Sequence, residues 1–179
     1  MVFQETALKG VFEVHIEPVV DERGFFARSW CQREFETHQL NARLVQCNIS
    51  FNPRKGTLRG MHYQTPSSAE TKVVRCTRGS LYDVVIDLRP GSPTLKQWVA
   101  IVLTAAKRNM VYVPEGFAHG FLTLEDNTEV FYHMSEFYSP ESARGVRWDD
   151  PSFGITWPDR VEVISDRDRN YADFGGIGD

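Results

Sequence analysis

Hydrophobic residues along this chain recur mainly with a period of two. Short runs rich in Val, Ile, Tyr and Phe occupy residues 10–20 (GVFEVHIEPVV), 71–77 (TKVVRCT), 80–88 (SLYDVVIDL), 97–103 (QWVAIVL), 109–114 (NMVYVP) and 128–134 (TEVFYHM). Turn residues separate them, as in RGS at 78–80, RPGSPT at 89–94 and LEDNT at 124–128. β-Branched and aromatic side chains suit a pleated, half-buried surface, while Gly, Pro, Asn and Asp end such runs. The pattern predicts an all-β fold, a sandwich or barrel of short strands. Helical spacing is scarce. Residues 31–40 (CQREFETHQL) predict one short helix, and a second starts at Ser165, where Ser165 and Asp168 have capping-box spacing. No repeat, linker or low-complexity run divides the 179 residues, so one domain over 1–179 is expected. From about Pro140 the chain is irregular and rich in Pro, Asp and Arg, and it is expected to pack over one barrel mouth.

Composition narrows the class. A net charge of -4 gives no reason to expect a nucleic-acid partner, although local basic residues leave room for an anionic substrate. No stretch reaches the roughly 18 apolar residues that span a bilayer, so no membrane partner is expected. The N-terminal residues carry Glu5 and no long apolar run, unlike a signal peptide. Cys31, Cys47 and Cys76 are odd in number and lack CxxC spacing, which fits reduced thiols in the cytoplasm better than a disulfide framework.

Candidate chemistry sits on the strand-like runs. In LRGMHYQ (58–64), alternation groups Leu58, Gly60, His62 and Gln64 on one face and turns Arg59 to the other. In VPEGFAHGF (113–121), a Pro114–Gly116 turn leads into a strand that carries His119. In TEVFYHM, Val130, Tyr132 and Met134 form the more apolar face, so Tyr132 is expected to point inward. Lys72 alternates with Val74 and Cys76, either snorkelling to the barrel mouth or working there. Asp168 is the N3 residue of a helix cap, or the carboxylate that orients a histidine. Each residue alone is more often structural than functional. Together they supply a base, an acid, an enolate stabiliser and phosphate clamps, the set needed for proton abstraction beside a carbonyl.

In combination and order, DERGFF (21–26), QCNIS (46–50), KGTLRGMHYQ (55–64), TKVVRCTRGSLYDVVIDLRPGSPT (71–94), VPEGFAHGF, YSPESARGVRWDDP (138–151) and the Ser165–Asp168 segment resemble the dTDP-4-dehydrorhamnose 3,5-epimerase family over about residues 8–170. The resemblance implies a cupin jelly roll, and a homodimer in which N-terminal strands cross to the partner. It implies His62 as the base, Asp168 as its dyad partner, Tyr132 as the acid and Lys72 near the sugar ketone. Gln46, Asn48, Arg59 and His119 match sugar- or phosphate-contacting positions, and Tyr138 one that stacks near the base. Arg23 matches a residue that reaches the diphosphate, in the neighbouring subunit's site. Carrying Arg59 over requires a bulge or strong twist beside His62. The implied reaction inverts C3, C5 or both of a nucleotide-diphospho 4-keto-6-deoxyhexose through an enolate, with no cofactor and no metal.

The chain departs from that family at its nucleotide end. Arg28 stands where the family has a glutamate, Ala143 where it has an acidic residue, and Arg167 where it has a lysine. Arg28 and Arg167 are therefore counted with the substrate-binding candidates, and a CDP-linked sugar stays open beside a dTDP-linked one. Two other classes compete. A metal-dependent cupin needs about three His and a carboxylate on one ion, but the second position of an HxH pair is Gln64. A non-catalytic sugar-nucleotide binder would keep the arginines and need no His62–Tyr132 pair.

Overall fold

The computed structural model describes residues 1–175. Its strands are β1 (Val2–Glu5), β2 (Phe12–His15), β3 (Val19–Asp21), β4 (Gly24–Phe26), β5 (Gln46–Asn52), β6 (Leu58–Gln64), β7 (Lys72–Arg78), β8 (Ser80–Asp87), β9 (Trp98–Thr104), β10 (Met110–Val113), β11 (Phe117–Thr123), β12 (Thr128–Met134) and β13 (Ala143–Gly145). A six-stranded sheet has the order β1-β2-β10-β7-β12-β5, and a five-stranded sheet the order β13-β6-β11-β8-β9. β3 and β4 form a separate antiparallel ribbon. The two large sheets face each other across a core in which Val74, Cys76, Val111 and Val130 of one meet Leu81, Val85, Leu103 and Phe121 of the other. These are the inward positions of the period-two pattern, so burial of one face per strand fixes the register.

The helices are short. α1 (Gln32–Thr37) is shorter than the predicted 31–40: Cys31 at its N-cap makes no side-chain cap bond, and Gln39 just past its end takes φ 59°. Its Phe35 is fully buried beside Val14, Met110 and Tyr112 on the outer face of the six-stranded sheet. α2 (Asp166–Arg169) starts as predicted, with the Asp168 N–H donating to the Ser165 hydroxyl.

The irregular segment covers the outer face of the five-stranded sheet, where Val146, Phe153, Trp157 and Phe174 pack on Met61, Val84 and Ile86. Both faces of β8 are apolar, so this sheet needs a second cover. Only residues 163–168 of the later part turn to the open end of the sandwich, where Val163 bridges to Thr57.

Candidate active site

A cavity of 690 Å³ opens between the two sheets. Eight of the sequence-derived candidates line it: Arg59 and His62 from β6, Lys72 from β7, His119 from β11, Tyr132 from β12, then Tyr138, Arg167 and Asp168. Because β6 and β11 belong to one sheet and β7 and β12 to the other, His62 and Tyr132 project from opposite walls.

The two readings of Asp168 describe one arrangement. The Ser165 cap fixes the first turn of α2, and that turn presents Asp168 to His62, whose Nε2 lies 2.7 Å from Oδ1. The other carboxylate oxygen accepts the Gly60 N–H at 3.2 Å. Burial alone would push the Asp168 carboxyl up, but hydrogen bonding and attraction from His62, with help from the Gly60 N–H, hold it below its ordinary range. An ionised carboxylate only accepts, so Nε2 carries the imidazole proton and Nδ1 keeps its lone pair. The His62 side chain is 40% exposed and lines the cavity, so a substrate can reach the imidazole.

Arg59 shares the cavity with His62 because the β6–β11 register shifts between them. His119 pairs with His62 and Phe121 with Arg59, so one residue of β6 is extra. The bulge sits at Gly60, at φ 140°, where an added Cβ would meet the Gly120 Cα at 2.5 Å. Two glycines thus let the strands touch and bring two side chains of nominally opposite faces to one wall. Arg59 Nε donates to Asn52 Oδ1 at 2.8 Å. On the facing wall, burial pushes the Tyr132 phenol up, partly offset by the Arg59 charge, so Tyr132 holds its proton.

Two carboxylates that sequence reasoning missed complete the site. Glu70 Oε1 lies 2.9 Å from Lys72 Nζ, with the Glu70 side chain 3% exposed. Asp83 Oδ2 lies 2.9 Å from His119 Nε2. Burial pushes the Asp83 carboxyl up against the opposing charges of His119 and Lys72. Asp83 had a sequence signal: it alternates with Leu81 and Val85, which makes it a carboxylate in an inward apolar register. Arg144, also on the lining, adds a cation at the rim.

Four candidates do not reach the cavity lining. Gln46 and Asn48 pair across β12 with Met134 and Tyr132, but their side chains are engaged locally. Gln46 accepts the Tyr138 N–H at 3.0 Å and donates to Asn48, which donates to the Met134 sulfur. Arg28 pairs with Glu34 of α1 at 2.9 Å, beyond the six-stranded sheet. Arg23 clamps Asp21 at the tip of the β3–β4 ribbon, with its side chain 84% exposed. Gln64 is held by Ser68, Phe137 and Ser139 rather than aimed at His62 and His119. Among the described residues no three His, Cys, Asp or Glu side chains converge as a metal-ligand group.

The family model for dTDP-4-dehydrorhamnose 3,5-epimerase matches residues 5–175. A Shigella flexneri protein of that name is 44% identical over 161 residues, covering 88% of each chain. The crystal structure of the Bacillus anthracis dTDP-4-dehydrorhamnose 3,5-epimerase, with TDP and pyrophosphate bound, superposes with a TM-score of 0.92 at 38% identity, covering 96% of this chain and 98% of that one. A Streptomyces bikiniensis 3'-monoepimerase in complex with dTDP-quinovose superposes with a TM-score of 0.86 at 32% identity, covering 94% and 85%. The sandwich is thus a cupin-type jelly roll, and the chain belongs to the dTDP-4-dehydrorhamnose 3,5-epimerase family.

Proposed function

We propose that this chain is an epimerase that inverts C3, C5 or both of a nucleotide-diphospho 4-keto-6-deoxyhexose, of the dTDP-4-dehydro-6-deoxyglucose to dTDP-4-dehydrorhamnose type. The observation that carries this is the opposition of two groups across one cavity: a His62–Asp168 dyad on one wall and a protonated Tyr132 on the other. Inversion needs a proton removed from one face of the ring and another delivered to the opposite face.

The C4 ketone acidifies the protons on C3 and C5. His62 Nδ1 takes one, and the charge of Asp168 favours the imidazolium that forms. Negative charge grows on the C4 oxygen and is met by the Lys72 ammonium, which its contact with Glu70 holds at the wall. The enolate is basic enough to draw a proton from a phenol whose acidity burial has weakened. His62 then returns its proton to solvent, and the Tyr132 phenolate takes one back from it. No redox step or metal enters this scheme.

Arg59, Arg144 and Arg167 supply positive charge for the diphosphate. We place Arg23 in the cavity of a second subunit. In support, the ribbon that carries it leaves Val19, Val20 and Phe26 at least 70% exposed, a surface suited to burial in a homodimer. The free thiols Cys31, Cys47 and Cys76 suit the cytoplasm.

The test is to incubate the protein in heavy water with dTDP- and CDP-4-keto-6-deoxyglucose and follow deuterium entry at C3 and C5 by NMR. Entry with product inversion, abolished by His62→Ala, is the expected result; the labelled carbon reports which centre is inverted and the faster substrate names the nucleotide. Tight binding of both substrates with no exchange would overturn the catalytic reading in favour of a binding protein.

A further inference from the structure

Tyr171 does not line the cavity, yet its ring meets His62 edge to face, with centroids 6.2 Å apart at 73°. Its seat is made by a glycine. On β13, Gly145 is the cross-strand partner of His62, and a Cβ added at Gly145 would overlap the Tyr171 ring. The side chain missing from β13 is therefore the space that the aromatic ring fills, directly beside the imidazole. The ring also lies near Arg167, whose guanidinium carbon is 5.8 Å from the centroid.

We infer that Tyr171 is a positioning residue. Its ring, seated in the Gly145 slot, holds the His62 imidazole so that Nε2–H stays on Asp168 and Nδ1 stays turned to the substrate. A half-exposed histidine bound only through one 2.7 Å contact can rotate about its side-chain bonds. A flat wall on its second side removes that freedom. The ring is what acts, so the phenol oxygen is dispensable.

This rests on the reading of His62 as the base, and the experiment separates the two. Tyr171→Phe, Tyr171→Ala and Gly145→Ala are compared; the last keeps Tyr171 but fills its seat. On the substrate-free protein at about pH 8, where an ordinary imidazole is neutral, ¹⁵N NMR of His62 reports the tautomer. The wild type and Tyr171→Phe are expected to give two widely separated nitrogen signals, with the proton on Nε2. Tyr171→Ala and Gly145→Ala are expected to give signals drawn toward each other. In the exchange assay, kcat falls at least tenfold for Tyr171→Ala and Gly145→Ala, with KM changed less than threefold, while Tyr171→Phe stays within twofold.

The inference is overturned if either slot variant keeps the wild-type nitrogen signals or keeps its kcat. If Tyr171→Ala does not fold, Tyr171→Leu replaces it under the same criteria. If no tested sugar reacts even with wild type, the nitrogen signals alone decide whether Tyr171 positions His62, and the loss falls on the proposed function.

Discussion

Asp168→Asn is the sharpest test of the dyad, because it removes a charge while leaving the helix cap intact. The helix cap runs through the backbone N–H of Asp168, which still meets the Ser165 hydroxyl. The magnitude follows from the geometry. With Nε2 and Oδ1 2.7 Å apart, the charge centres of an imidazolium and a carboxylate lie about 4 Å apart, worth about 4 kcal/mol at an effective dielectric of about 20. The 40% exposure of His62 screens this to about 2 kcal/mol. Asparagine adds a second loss. If its NH₂ faces Nε2, the lone pair moves there and Nδ1 can no longer act as base. If its oxygen faces Nε2, its NH₂ meets the Gly60 N–H, donor against donor, at about 1–3 kcal/mol. Together these raise the barrier by about 3–5 kcal/mol, a fall in kcat of roughly 10²- to 10⁴-fold. The assay is the initial rate of deuterium entry in heavy water, with KM measured alongside. A variant within threefold of wild type would refute the claim that Asp168 charges and orients the base.

Three further outcomes are expected. Tyr132→Phe retains deuterium entry at the carbon that His62 deprotonates but forms epimer at least about a hundredfold more slowly; normal epimer yield by NMR would remove Tyr132 as the acid. Burial, aided by Arg75, lowers the His133 pKa from 6.5 to about 4, so the unfolded chain binds a proton below about pH 6.5 that the folded chain refuses. Stability therefore falls as pH drops from about 6.5 to 4, by at most roughly 3 kcal/mol, and urea midpoints at pH 7 and 4.5 converge in His133→Gln. Gly120→Ala sets a Cβ 2.6 Å from the Met61 sulfur and 2.7 Å from the Arg59 carbonyl oxygen, at a cost of about 1–3 kcal/mol in denaturant unfolding; an unchanged midpoint would show that the β6–β11 approach is not tight.

Strand β12 was legible because its inward face is the more apolar one. Val130, Tyr132 and Met134 alternate in sequence, and they face the interior on β12. The rule failed where one residue breaks the period. Strict alternation sends Arg59 away from His62, and only the bulge at Gly60, admitted by the bare Gly120 opposite, returns it. The glycines are visible in the sequence. Their contact is not, because it depends on which strands become neighbours.

What stayed illegible is what depends on partners distant in the chain. Asp83 shows in sequence only as a carboxylate in an apolar register, and its use is set by His119, 36 residues later. Tyr171 lies in a segment with no period, and its place is set by a glycine 26 residues earlier that happens to pair with the base. The resemblance reached further than periodicity for residues within the cavity, yet it also named Arg23, Gln46 and Asn48, whose side chains are engaged elsewhere in the single chain, as is that of Arg28, where the chain departs from the family. Arg23 sits at the exposed tip of the β3–β4 ribbon, paired with Asp21 and outside the lining of its own cavity. For Gln46 and Asn48 the link is indirect but traceable, since Gln46 anchors the Tyr138 backbone and Asn48 touches Met134, both on the cavity wall. A pattern in sequence therefore finds the groups that do the chemistry more readily than the groups that hold them, because holding is a matter of neighbours.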